Sequence, residues 1–207
     1  MLNAITVCVN YVDYLKLTIN NRYLFDRWII VTSCDDHDTL SFCKANNLEC
    51  VITERIYESG PFCKGKAIND GLLHLNHPDW VCVVDADTYL FTEVLKGIID
   101  STVLDKDAIY GLFGRVQVEN ERELTELFKK GKILESDIED VNMLVGFFQM
   151  WHRSKTPFYP EESHNAGLDD VLMLDYFASN KKHIFPSYAI HIGPKWVNHN
   201  GVKNACT

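Results

Sequence analysis

No stretch of this sequence is apolar for long enough to cross a bilayer. The longest purely apolar runs, such as Val81 to Val84, stop after a few residues, where a spanning helix needs about 20. The opening MLNAITVCVN has neither the basic flank nor the small-residue cleavage site of a secretory leader, so the expected location is cytoplasmic. The seven cysteines (Cys8, Cys34, Cys43, Cys50, Cys63, Cys82 and Cys206) form no CxxC pair, and their number is odd. That argues against a disulfide framework or a zinc site, and Cys8 and Cys82, set in apolar runs, read as small hydrophobes. Positive charge is also in short supply. Twenty Lys and Arg face 29 Asp and Glu, a net charge of −9, which speaks against nucleic acid and against anionic membranes as partners. Repeats, low-complexity tracts and Pro/Gly-rich linkers are absent as well, so residues 1–207 are expected to form one domain.

What the chain does have is alternation. Ala4 to Asn10 reads as a strand, Val12 to Tyr23 as a helix, and WIIVT (Trp28 to Thr32) as a second strand. DDHDTLSFCKANN reads as a helix opened by an Asp cap, and Glu49 to Thr53 as a third strand. In Lys64 to Asn76, the residues Ala67, Ile68, Leu72 and Leu75 share one helical side. Trp80 to Val84 is apolar throughout, as a central strand covered on both faces should be. Farther on, Ala108 to Val118 is expected as a strand with a glycine-marked bend, Glu121 to Lys132 as a helix and Met143 to Trp151 as a strand. Leu168 to Ala178 reads as a helix and Tyr188 to Ile192 as a last strand. Strands alternating with helices specify an α/β fold with a mostly parallel central sheet flanked by helices. Such sheets bind ligands at the carboxyl ends of their strands.

At one of those ends stands DWVCVVDADTYLF. Its buried strand finishes in Asp85 and Asp87, separated only by Ala86. Like charges so close repel, and burial penalises both, so a positive group is expected beside them. Asp-x-Asp at a strand end suits Mg²⁺ or Mn²⁺, which prefer carboxylate oxygens; a plain turn is the bland alternative.

These residues resemble the DxD motif of the GT-A nucleotide-sugar glycosyltransferases, especially the large family-2-like group, and further motifs agree in order. KGKAINDGL (64 to 72) is similar to that group's A-R-N-x-G helix, with Ala67, Asn69 and Gly71 matching. Ile68 stands where Arg is usual, and Lys66 offers a positive charge nearby. Asp35 and Asp36 end the second strand as the group's nucleoside-recognising acids do, and Asn10, Tyr11 and Asp13 lie at the tip of the first. HNAGLDDVLMLDYF resembles the acidic-pair helix that carries the catalytic base of inverting members, here Asp170 or Asp169. AIHIGPKWVNHNG resembles the stretch that adds a histidine to the metal, which would be His191, with Lys195 and Trp196 over the diphosphate. The resemblance thus implies a Rossmann-like GT-A domain with a nucleotide-binding half (1–90) and an acceptor-side half (91–207). It implies Mn²⁺ or Mg²⁺ on Asp85, Asp87 and His191, a nucleotide diphosphate sugar donor (a UDP-sugar foremost) and a hydroxyl acceptor that the sequence does not name. Inversion follows if the Asp pair supplies a base. A homo-oligomer is left open.

Two other readings compete. VVDADTYL also fits the D-x-D-x-T nucleophile motif of haloacid-dehalogenase phosphatases, with Asp85 as nucleophile, although about three strand–helix units precede it here. A glycosyltransferase-like module that binds nucleotide without turnover is the second. Gly146, Phe147, Gln149 and Trp151 occupy the strand that faces the acceptor in the group, where sugar stacking and core packing are both open.

Overall fold

The computed structural model describes residues 1–58, 62–75, 79–140, 144, 146–161 and 166–194. Its first half is the expected alternation. Strand β1 (Leu2–Val7) leads into α1 (Val12–Thr18), which tightens into a 3₁₀ segment over Ile19–Leu24. Then come β2 (Arg27–Thr32), α2 (His37–Ala45), β3 (Glu49–Ile52), α3 (Lys64–Leu73) and β4 (Trp80–Val84). Asp36 starts α2 as the sequence implies, its carboxylate accepting the Thr39 N–H at 3.1 Å and so satisfying one of the donors that a helix start leaves open. β1 pairs in parallel with both β2 and β4, and β2 with β3, giving the order β3-β2-β1-β4. β2 and β3 lie to one side of β1 and β4 to the other, the kind of switch point beyond whose strand ends open α/β sheets bind ligands.

The second half continues the same sheet with mixed pairing. It comprises β5 (Thr88–Leu90), α4 (Thr92–Ser101), β6 (Ile109–Val118), α5 (Glu121–Lys130), β7 (Ile138–Asp140), β8 (Phe148–His152), α6 (Ala166–Met173) and β9 (Lys182–Ile192). β8 lies antiparallel between β4 and β6, β6 runs parallel to β9, and β5 pairs antiparallel with β9. The glycine-marked bend is a register shift between Leu112 and Gly114. β5, α4 and β7 have no counterpart in the sequence reading. Ile138 to Asp140 and Thr88 to Leu90 span three residues each, too few for a period to register. The expected strand from Met143 begins only at Phe148, and residues 141–143 and 145 lie outside the described ones.

Successive side chains leave a strand on opposite faces, and the core divides accordingly. Ala4, Ile30, Cys82, Val84 and Met150 pack under Leu15, Leu24 and Leu95. Ile5, Ile29, Val31, Val81, Val83 and Trp151 pack under Ala67, Ile68 and Leu72 of α3 and Met173 of α6. β4 is therefore covered on both faces, and Trp151 and Phe148 are fully buried core residues, so Trp151 is a packing residue and not a sugar-stacking one. All six described cysteines are free thiols. No described helix is long and apolar enough to cross a membrane.

Candidate active site

The loop carrying Asp85 and Asp87 is fixed from several sides. The Thr88 N–H donates to the Asp85 carbonyl at 3.1 Å, closing a turn. The Thr18 hydroxyl donates to the Ala86 carbonyl at 2.9 Å, and the Asn21 amide grips Thr88 and Leu90 at 2.7 and 2.9 Å. Each of these partners comes from α1 or the 3₁₀ segment after it, so the first strand–helix unit sets the shape of the loop. Ile192, at the end of β9, donates to the Asp87 carbonyl at 2.8 Å. That pins His191 against Asp87, with Nε2 3.5 Å from Asp87 Oδ2.

Two groups of side chains result. The first is Asp87 with His191, both largely shielded from solvent. A carboxylate oxygen and an imidazole nitrogen at this spacing approximate two adjacent ligands of one octahedral cation, whose bonds of about 2.1 Å set neighbouring ligands ~3 Å apart. Nδ1 of His191 is buried and has no hydrogen-bond partner among the described residues. These residues fit a small divalent cation. Among the described residues no group of three or more His, Cys, Asp or Glu side chains could hold a metal ion, so further ligands would have to come from phosphate or water.

The second group is built around Lys64, the first residue of α3. Its ammonium is buried and lies 2.7 Å from Asp85 Oδ1 and 3.2 Å from Asp170 Oδ1. Burial alone would lower its pKa, but the charges of Asp170 and Asp85 more than offset that, and the net direction is up. The positive group that two adjacent carboxylates require is therefore, in the protein itself, Lys64. Lys66, the expected source of charge, instead pairs with Glu58 at 2.9 Å. Tyr159 also reaches Asp170, its hydroxyl 2.7 Å from the same Oδ1. Gly146 is what lets the carboxyl sit so close to the chain leading into β8: a Cβ there would fall 1.6 Å from Asp170 Oδ2.

The members of the acidic pair differ in their work. Asp169 is fully buried and accepts the Gly65 N–H at 3.1 Å, an anion set at the positive end of α3. Asp170 faces Lys64 and, through it, Asp85. Asn69 is engaged entirely within the protein. Its amide donates to the Tyr159 carbonyl at 2.9 Å and to Glu161 at 2.8 Å, and its oxygen accepts the Tyr159 N–H at 2.7 Å. Asp36 is buried, binding the Asn10 N–H at 2.7 Å besides capping α2, whereas Asp35 and Asp13 are exposed at the same edge. Asn10 takes a left-handed conformation (φ 60°), which Asn tolerates better than most residues and which turns the chain sharply after β1. Burial and the charge of Asp87 push the Tyr11 hydroxyl up in pKa, with smaller contributions from Tyr14, Asp13 and Asp85, placing Tyr11 within electrostatic reach of both aspartates of the motif. Lys195 and Trp196 lie outside the described residues. Lys64 and Tyr159 were not assigned roles from sequence, and Gln149 was placed only on the acceptor-facing strand; only the demand of Asp85 and Asp87 for a cation pointed toward Lys64.

The fold on which these groups sit is that of the GT-A nucleotide-sugar glycosyltransferases. The glucosyl-3-phosphoglycerate synthase of Mycobacterium tuberculosis, solved with Mn²⁺ and UDP-glucose, is similar at a TM-score of 0.61 and 13% identity, over 99% of this chain and 80% of that one. The same enzyme with Mn²⁺, UDP and glucosyl-3-phosphoglycerate gives 0.60 at 13% identity, over 92% and 71%. The mannosyl-3-phosphoglycerate synthase of Rubrobacter xylanophilus gives 0.59 at 15% identity, over 95% and 68%. No family model and no curated protein sequence matches the chain.

Proposed function

We propose that this protein transfers a sugar from a nucleotide diphosphate sugar, a UDP-sugar in the first instance, to an acceptor hydroxyl with inversion at the anomeric carbon. The observation that carries the reading is the convergence, beyond the ends of β4 and β9, of a metal-suited pair (Asp87 and His191, 3.5 Å apart) and a Lys64–Asp85–Asp170 cluster. Asp87 and His191 would hold Mn²⁺ or Mg²⁺, which when bound supplies positive charge to the diphosphate. Asn10, Tyr11, Asp13 and Asp35 line the edge where the nucleoside would lie, with Asp36 shaping that edge from beneath. Lys195 and Trp196 are proposed to close over the diphosphate.

In the reaction the bond from the anomeric carbon to the β-phosphate oxygen breaks and its electron pair stays on the phosphate. Lys64, an ammonium already at the site, stabilises that charge. The acceptor oxygen attacks the opposite face of the sugar, and its proton passes to the Asp170 carboxylate. Asp169, committed to the N-terminus of α3, is not the base. Phosphoglyceric acid, present in a complex of the mycobacterial enzyme, is the first acceptor to assay.

Thermal unfolding with a panel of nucleoside diphosphates, each with Mn²⁺, Mg²⁺ or EDTA, tests the reading. A ligand at 100 times its Kd stabilises the native state by about 2.7 kcal/mol. The melting temperature should rise only when nucleotide and metal are both present, and the rise should vanish in Asp87→Ala. A rise indifferent to metal and to Asp87 would count against the reading. An aspartyl-phosphate trapped on Asp85 would favour the phosphatase instead.

A further inference from the structure

The hydrogens around Asp170 can be counted. The Gln149 side-chain nitrogen donates to the Leu144 carbonyl and to the Asp170 backbone carbonyl, both at 2.9 Å. Both amide hydrogens are thereby committed. The reversed amide would set oxygen against two carbonyl oxygens, so the orientation is fixed. Gln149 Oε1 is then a pure acceptor, and the Tyr159 hydroxyl stands 2.6 Å from it. The same hydroxyl stands 2.7 Å from Asp170 Oδ1. Both separations are those of short O–H···O hydrogen bonds, and each needs a hydrogen between its oxygens. Tyr159 has one to give and Gln149 has none.

The charges give the same answer independently. Lys64 makes its shortest contact, 2.7 Å, with Asp85, and one ammonium balances one carboxylate. A second ionised carboxyl, as buried as Asp170, would leave a net negative charge out of water.

We propose that Asp170 is a neutral carboxylic acid in the unliganded protein, its proton donated to Tyr159, whose own hydrogen is donated to Gln149. Tyr159 and Gln149 are thus positioning residues that set the protonation state of the proposed base. Because Gln149 claims the tyrosine hydrogen, Tyr159 presents a lone pair to Asp170 and favours the acid over the carboxylate. The groups facing Asp170 are Lys64 from α3, Asp85 from the end of β4 and Tyr159 from the segment after β8; Asp169, its neighbour on α6, binds Gly65. Burial, the largest influence, moves the Asp170 pKa upward; Lys64 opposes this, Asp85 adds to it, a hydrogen donated by Tyr159 to Asp170 would oppose it as well, and even with that opposition the net direction is up. The consequence for catalysis rests on the glycosyltransferase reading: Asp170 must lose this proton before it can accept one from an acceptor. Sugar transfer should therefore fall away on the acid side at a pH above that of an ordinary aspartate.

The proton itself is testable without substrate. Infrared difference spectra of unliganded wild type against Asp170→Asn are recorded across a pH range that brackets the ordinary aspartate value of about 3.9. The expected result is a protonated-carboxyl carbonyl band, absent in the variant, that titrates away with a midpoint above that value. A band that titrates at or below the ordinary value, or is absent throughout, overturns the proposal. Melting temperatures give a second readout. A group whose pKa is raised by folding stabilises the native state fully below its unfolded pKa and loses that contribution as pH rises through the folded one. The wild-type melting temperature, relative to Asp170→Asn, should thus fall as pH rises through the band's midpoint; a relative rise would mean an ionised, salt-bridged Asp170 and sink the idea. Gln149→Met frees the tyrosine hydrogen to turn toward Asp170, so the midpoint should move down; an unmoved midpoint removes Gln149 from the chain. If Gln149→Met does not fold, the wild-type spectra still decide the proton. A failure of the glycosyltransferase reading would leave every one of these bands in place, so the two failures are distinguishable.

Discussion

Gly146 and Lys64 together determine where the Asp170 carboxyl can sit. A methyl group at residue 146 would overlap Asp170 Oδ2, at 1.6 Å, so Gly146→Ala must push the carboxyl off its position or move the chain ahead of β8. Overpacking of this kind costs about 1–3 kcal/mol of stability. Misplacing a reacting group by ~1 Å can cost about 100-fold in rate. Gly146→Ala should therefore melt only a few degrees lower yet lose about two orders of magnitude in kcat, with donor KM little changed, as steady-state kinetics beside a melting curve will show. An equal loss in KM would instead implicate the donor site. Lys64→Met removes the partner of both Asp85 and Asp170. Breaking a buried pair costs about 3–5 kcal/mol; the low end, about 3 kcal/mol, is expected because the Asp85 side chain is 33% exposed and can be rehydrated. Nucleotide–metal affinity should fall with it, and a titration showing full affinity would remove Lys64 from the diphosphate.

At the scale of elements, the segment from Tyr159 to Glu161 is strapped along α3. Asn69 holds both backbone groups of Tyr159 and also Glu161. Arg55 bridges Asp70 on α3 at 2.9 Å to Glu161 at 2.7 Å. Gly65 admits the Pro160 carbonyl, which would stand 1.7 Å from any Cβ there. The strap is what delivers the Tyr159 hydroxyl to Asp170. Asn69→Ala would strand a buried N–H and a buried C=O, about 1–3 kcal/mol each, so a loss of about 2–6 kcal/mol and a melting temperature lower by on the order of 10 °C are expected. The protein should still bind nucleotide and metal. Loss of nucleotide binding in a folded Asn69→Ala would return Asn69 to the donor site that its motif implies. Here lies the boundary of what the sequence discloses. The strands β1, β2 and β4, the cap of α2 and the apolar side of α3 follow from local pattern, and so does the placing of Asp85 and Asp87 at a strand end. Asn69 and Lys64 sit in a motif that is legible, but their partners lie 82 or more residues away along the chain for the contacts to Gly146, Tyr159, Glu161 and Asp170. No period or spacing encodes such pairings. Three-residue strands such as β5 and β7 escape for the opposite reason: they are too short to carry a pattern and exist because a neighbouring strand offers them a ladder.

At the scale of the whole molecule, the net charge is −9, and among the described residues the candidate site does not reverse it locally. Asp13 and Asp35 are exposed at its edge, and Asp85 lies within it, against the ammonium of Lys64. A nucleoside diphosphate is itself an anion, so the long-range field of this protein opposes its approach. On the proposed reading, a cation held by Asp87 and His191 would serve encounter as well as chemistry, because Lys64 is already paired with Asp85. The salt dependence follows in sign. Raising ionic strength from 0.01 M to 0.15 M shortens the screening length from about 30 Å to about 8 Å, which weakens repulsion between distant charges while leaving the short contacts at Asp87 and Lys64 nearly intact. Stopped-flow association of a fluorescent UDP analogue with the Mn²⁺-loaded protein should therefore speed up by a few-fold over that range, with the dissociation rate changing little. Association that slows with salt would mean that the approaching nucleotide meets a positive field, and the residues supplying it would have to lie in segments other than those described around Asp85 and Asp87.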